Sequence, residues 1–81
     1  MERTEVIDIL TEIFRKVLGD QSLVLSPELT ANDTARWDSL SHMMLISEIE
    51  SVFAVRFKLK DLNKMRNVGD MVDIIILKLS A

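Results

Sequence analysis

Apolar residues recur at three- and four-residue spacing over residues 4 to 18. Val6, Ile9, Leu10, Ile13, Val17 and Leu18 make one stripe, and Asp8, Glu12, Arg15 and Lys16 take the opposite face. The spacing predicts an amphipathic helix with Thr4 as its cap. Gly19 is placed to end it, since glycine enters the left-handed conformation without a Cβ penalty. Glu12 to Lys16 is the favourable order for an ion pair along a helix. Residues 20 to 37 hold no sustained period. Ser26-Pro27-Glu28 suits the start of a single helical turn, and Thr30-Ala31-Asn32-Asp33-Thr34 is turn chemistry. A loop this long should be functional or packed down, with Leu23, Leu25 and Leu29 as anchors.

A second helix is expected over residues 39 to 53, with Asp38 as cap and Leu40, Met43, Ile46, Ile49 and Phe53 as its buried stripe. Ala54-Val55-Arg56-Phe57 is too short for a strand. A short helix from Lys60 to Lys64 or Met65 would turn Leu62 and Met65 inward. The last helix runs from about Val68 to Leu79, capped by Asn67, with Asp70 in its first turn and Met71, Val72, Ile75, Ile76 and Leu79 as its apolar face. The expected fold is all-α: a four-helix bundle of three long helices and one short helix, with a long loop between the first two. The chain holds no internal repeat.

Composition narrows the classes. Residues 1–81 are expected to form a single domain, for which 48% hydrophobic residues with Gly 2 and Pro 1 favour long regular elements. With no cysteine there is no disulfide framework and no thiol nucleophile, and a lone histidine offers no metal-ligand cluster. The charged start lacks the apolar core of a signal peptide, and Ile74-Ile75-Ile76-Leu77 is too short to span a bilayer, so a cytoplasmic protein without stable membrane insertion is expected. A net charge of −3 speaks against nucleic acid. From Trp37 to Val55 there are three acids (Asp38, Glu48, Glu50) and no Lys or Arg. From Arg56 to Arg66 there are five bases against the single Asp61, which reads first as a solvated face.

The stretch that carries chemistry is Trp37-Asp38-Ser39-Leu40. A serine here stands at the edge of a loop, where another enzyme reaches its hydroxyl. It adjoins the free N–H groups of a helix start, which suit a phosphodiester anion, and it is held on a rigid element. His42 lies three residues further along the same helix, but a Ser-His nucleophile also needs an orienting group and an oxyanion hole. His42 is therefore expected to be a surface residue, and Trp37 a plug for the loop ahead of a partner anchor.

Asp38-Ser39-Leu40, after a long loop and at the head of a helix, resembles the phosphopantetheine attachment motif of the acyl carrier protein family. The continuation from Ser41 through Glu48 and Glu50 to Phe53, and the later Asn67-Val68-Gly69-Asp70-Met71, are similar to the family as well. The resemblance covers essentially the whole chain, most securely from Trp37 to Leu79. It implies a bundle of acyl-carrier type and a carrier that catalyses nothing itself. It further implies 4′-phosphopantetheine held covalently on Ser39, with Asp38 and Leu40 supporting the motif. A phosphopantetheinyl transferase would install the arm, and acyl-activating, acyltransferase or synthase enzymes of a fatty acid, polyketide or other specialised pathway would use a monomeric carrier. Leu40, Met43, Ile46 and Met65 are the family-implied candidates to line an acyl-chain space, with ordinary core as their plainer role.

Ser41, Met44 and Ser51 depart from the family, which often has acids there for docking onto basic partners. The resemblance leaves Met44, Glu48 and Glu50 as docking candidates and points to a specialised carrier. An aminoacyl or peptidyl carrier, or a helical interaction module that never carries an arm, are the alternatives.

Overall fold

The computed structural model describes residues 1–80. Four helices follow in order: α1 Arg3–Leu18, α2 Ser39–Phe53, α3 Leu59–Asn63 and α4 Val68–Leu79, with a single 3₁₀ turn at Ala31–Asp33 in the long loop. The described residues contain no strand, so the all-α, four-helix arrangement is as expected. No helix among them is long and apolar enough to cross a membrane.

α1 buries Val6, Leu10, Ile13, Phe14 and Leu18. The stripe therefore includes Phe14, while Ile9 and Val17 lie at its margins. The helix begins one residue earlier than expected. Glu2 is the cap, its N–H donating to Glu5 Oε1 at 3.2 Å, and Thr4 sits inside the first turn. Gly19 ends the helix at φ 67°, with its N–H on the Arg15 carbonyl. Glu12 pairs with Arg15 at 3.3 Å instead of Lys16, which reaches across to Glu48 on α2 at 2.7 Å.

α1 packs against both α2 and α4. α4 contributes Val68, Met71, Val72, Ile74 and Ile75, with Ile76 and Leu79 partly buried. α2 contributes Leu45, Ile46, Ile49 and Phe53. This corrects the expected stripe, because Leu40 is 73% and Met43 55% exposed. α2 is apolar on both sides, so hydrophobic spacing alone does not say which side faces inward. Trp37 and His42, at the head of the helix, select the Leu45 side.

The long loop is a strap over the bundle. Leu23, Leu25 and Leu29 pack against the core as expected. Ser26-Pro27-Glu28 forms a plain turn, Leu29 N–H donating to Ser26 O at 3.1 Å, and the helical turn comes instead at Ala31–Asp33, capped by Thr30. Two strap carbonyls receive the free N–H groups of α4: Val68 N–H donates to Leu29 O at 3.0 Å and Gly69 N–H to Pro27 O at 2.9 Å. Gly69 allows this approach, since a Cβ there would meet Pro27 O at 3.2 Å. At the other end, Arg36 donates through Nη1 to the Leu18 and Gly19 carbonyls at 3.2 and 2.6 Å.

α3 starts at Leu59, one residue before the expected Lys60. Its Asp61 is buried, accepting from Lys58 N–H at 2.8 Å and lying 2.9 Å from Lys78 Nζ. Those partners hold its carboxyl below the ordinary range, the Lys58 N–H most strongly. Met65 is buried and Leu62 partly so.

Candidate functional site

Ser39 is the first residue of α2 and is exposed. The turn that presents it is built by the residues on either side. Asp38 is extended (φ −110°, ψ −170°), and its Oδ1 accepts from Ser41 N–H at 2.9 Å. Ser41 Oγ in return accepts from Asp38 N–H at 2.8 Å and donates to Arg36 O at 2.8 Å. This is a reciprocal cap with serine in the place where glutamate or glutamine is usual. The Ser41 N–H, its largest influence, holds the Asp38 carboxyl below its ordinary value, so it is ionised at neutral pH.

Behind Ser39 the strap ends on Trp37, which is 4% exposed. Its ring meets Phe14 edge-on at 5.0 Å and lies nearly parallel to His42 at 6.0 Å. Trp37 is thus the plug, as expected. Its Nε1–H donates to His42 Nδ1 at 3.0 Å, which places the His42 proton on Nε2. Burial lowers the His42 pKa from 6.5. His42 is therefore a half-buried structural acceptor, which corrects its expected place on the surface. With Nδ1 taken by the indole, its geometry gives no support to a Ser39–His42 nucleophile pair.

An open groove of about 570 Å³ adjoins the hydroxyl, lined by Ala31, Asn32, Trp37, Ser39, His42 and Met43. Asp38, Ser39 and Leu40 are together at the helix threshold. The suggested acyl-lining set is split: Ile46 and Met65 are in the core, whereas Leu40 and Met43 face solvent. Of the docking candidates, Met44 is 50% exposed, but Glu48 is engaged by Lys16 and Glu50 Oε2 accepts from Phe57 N–H at 2.9 Å. Both acids are thus tied into the bundle, because each lies next to a donor from a neighbouring segment. The sequence pattern gave Ser41 no capping role and Arg36 no part. The Ser-x-x-Asp-type spacing that flags a reciprocal cap is reversed here to Asp38-x-x-Ser41, and the reach of Arg36 to α1 is non-local.

A family model described as "Phosphopantetheine attachment site" matches residues 8–75. Among curated proteins, the acyl carrier protein of Rubrobacter xylanophilus is 28% identical over 94% of this chain and 94% of its own length. The meromycolate extension acyl carrier protein of Mycolicibacterium smegmatis is 34% identical over 84% of this chain and 69% of its own. Among solved structures, the solution NMR structure of a holo acyl carrier protein from Geobacter metallireducens superposes with a TM-score of 0.88. It shares 48% identity and covers 93% of this chain and 86% of that one. The crystal structure of an acyl carrier protein from Thermotoga maritima gives 0.83 at 31% identity, over 99% and 93%. With the family model spanning most of the sequence and the same helical arrangement in these relatives, the chain belongs to the acyl carrier protein family.

Proposed function

We propose that Ser39 is the residue that carries 4′-phosphopantetheine, and that the chain delivers acyl groups held on that arm to partner enzymes. The family assignment makes the chain a carrier and not a catalyst. The observation that supports the residue assignment is positional: Ser39 is exposed at the first position of a 15-residue helix, on a turn held by Asp38, Ser41 and Trp37.

The residues present fit the group. The Ser39 hydroxyl is open to a modifying enzyme, and a phosphodiester on its oxygen adjoins the positive end of α2, an effect of about 0.3–1 kcal/mol at exposed sites. The bound group supplies a terminal thiol that holds acyl chains as thioesters. The protein supplies the rest. The Asp38–Ser41 cap fixes the direction in which the hydroxyl leaves the helix, and the Trp37 plug keeps the turn from following the arm's motion. A tether on a rigid post raises the local concentration of the carried group at a partner's active site. A phosphopantetheinyl transferase and acyl-activating, acyltransferase or synthase enzymes are the partners this reading requires.

Incubation with coenzyme A and a promiscuous phosphopantetheinyl transferase should add the mass of one phosphopantetheine to the intact chain, and Ser39→Ala should abolish the gain. An unchanged mass, or a gain retained in the variant, sinks the assignment and favours an unmodified helical module.

A further inference from the structure

The outer side of α2 is left bare by its neighbours. Leu40, Met44, Ser47 and Ser51 recur at four-, three- and four-residue steps, so they form one exposed stripe that starts beside Ser39. Met43 stands next to it, and Leu40, Met43 and Met44 are each at least half exposed. Both acids of α2 are engaged: Glu48 is paired with Lys16 at 2.7 Å, and Glu50, at the edge of the stripe, takes Phe57 N–H at 2.9 Å.

The flank toward α3 has an excess of positive charge, with the bases Arg56 and Lys58 against the acid Glu50. Arg56 lines a shallow groove together with Ser47, Glu50, Ser51 and Ala54, where the Glu50 carboxylate is held by the Phe57 N–H. Lys58 follows at the cap of α3, directly after the Phe57 amide that Glu50 holds. Neither base pairs with a carboxylate among the described residues, and the acid of this stretch, Asp61, is buried against Lys78. The opposite flank carries the Lys16–Glu48 pair and is locally neutral.

We infer that this face receives a partner protein whose surface offers an apolar socket with carboxylates along one rim. The inference rests on the reading of Ser39 as the attachment residue, because a partner seated on a stripe that begins at Leu40 has the arm's root at its edge. Flexible, polarisable methionines beside a leucine suit the centre of an interface. Rim cations set encounter rate and register more than affinity. Their one-sided placement selects an oriented protein surface over an anionic bilayer, which would favour cations on both sides of the apolar stripe.

The test is a ¹⁵N NMR titration of the unmodified chain with two helical peptides. Both carry leucines at helical spacing; one is flanked by glutamates, its twin by lysines. The glutamate peptide should shift the amides of Leu40, Met44, Ser47, Ser51 and Arg56. Its Kd should rise at least about threefold from low to high salt, as expected for exposed charges. Arg56→Glu with Lys58→Glu should transfer the preference to the lysine peptide, and Met44→Ser should weaken both, with the melting temperature of each variant showing that the fold is kept. Equal or tighter binding of the lysine peptide, or shifts confined to another face, overturns the proposal. So does perturbation of the same amides by phosphatidylglycerol vesicles but not by the glutamate peptide. Because the titration does not use the arm, its failure leaves the mass gain at Ser39 standing, and loss of that mass gain is read separately.

Discussion

Ser39 contributes little to the bundle that presents it, and its two neighbours in the cap contribute much. Ser39→Ala is expected to shift stability by no more than about 0.5 kcal/mol, measurable by urea denaturation, while removing the attachment hydroxyl. His42 makes the opposite contribution. Its folded pKa lies below 6.5 because burial disfavours the imidazolium, so the unfolded chain takes up the proton first on acidification. Its contribution is therefore intact above pH 6.5 and lost as pH falls from there through the folded value. Denaturation midpoints should fall across that window, and His42→Gln, which keeps an acceptor for Trp37 Nε1–H, should flatten the dependence. The exposed hydroxyl was legible in the sequence from its place after a loop and before a helical period. The indole–imidazole bond was not, because nothing in the spacing of Trp37 and His42 says that one ring turns its nitrogen toward the other. Ser41 matters for redesign. An acid there could accept from Asp38 N–H, but when ionised it could not donate to Arg36 O. Positions 44 and 51 carry no such duty.

At the scale of elements, the helix ends hold more information than the helix middles. α2 ends on Ala54 in the left-handed region, φ 56°, with its N–H on Glu50 O and Val55 N–H on the same carbonyl. A Cβ is penalised in that conformation, so Ala54→Gly should stabilise the protein by up to about 1 kcal/mol in chemical denaturation, after the added freedom of glycine in the unfolded chain is offset. α4 is capped by Asn67, whose Oδ1 accepts from Asp70 N–H at 2.8 Å. Asn67→Ala should cost about 1 kcal/mol. Caps at Asp38 and Asn67 and the stop at Gly19 were readable because each is a local chemical requirement. The facing of α2 was not, since Leu40 and Met43 are as hydrophobic as the residues that are buried. An apolar outer side is what a binding role adds to a helix, and it is also what blurs the period. The Thr4 cap failed for a different reason: Glu2 and Glu5 supply an equivalent pair, with the cap two residues earlier.

At the scale of the molecule, stability rests on a small core in which a few aromatic contacts are shared between segments. Phe14 is fully buried from α1 and carries the strap's Trp37 on its edge. Phe14→Ala should cost about 3–5 kcal/mol, a large share of what an 81-residue chain has, and a urea melt should show a greatly lowered midpoint or a loss of cooperativity. The number and order of helices followed from periodicity and breakers. The path of the loop did not, because its ties are long-range: Arg36 to the end of α1, and the Pro27 and Leu29 carbonyls to the start of α4. That arrangement has a biochemical corollary. Between Lys16 and Arg56 the chain offers trypsin a single basic residue, and it is Arg36, whose guanidinium already grips two carbonyls of another segment. A protease pocket must pull that side chain out before it can cut, so scission there acts as a tripwire for detachment of the strap.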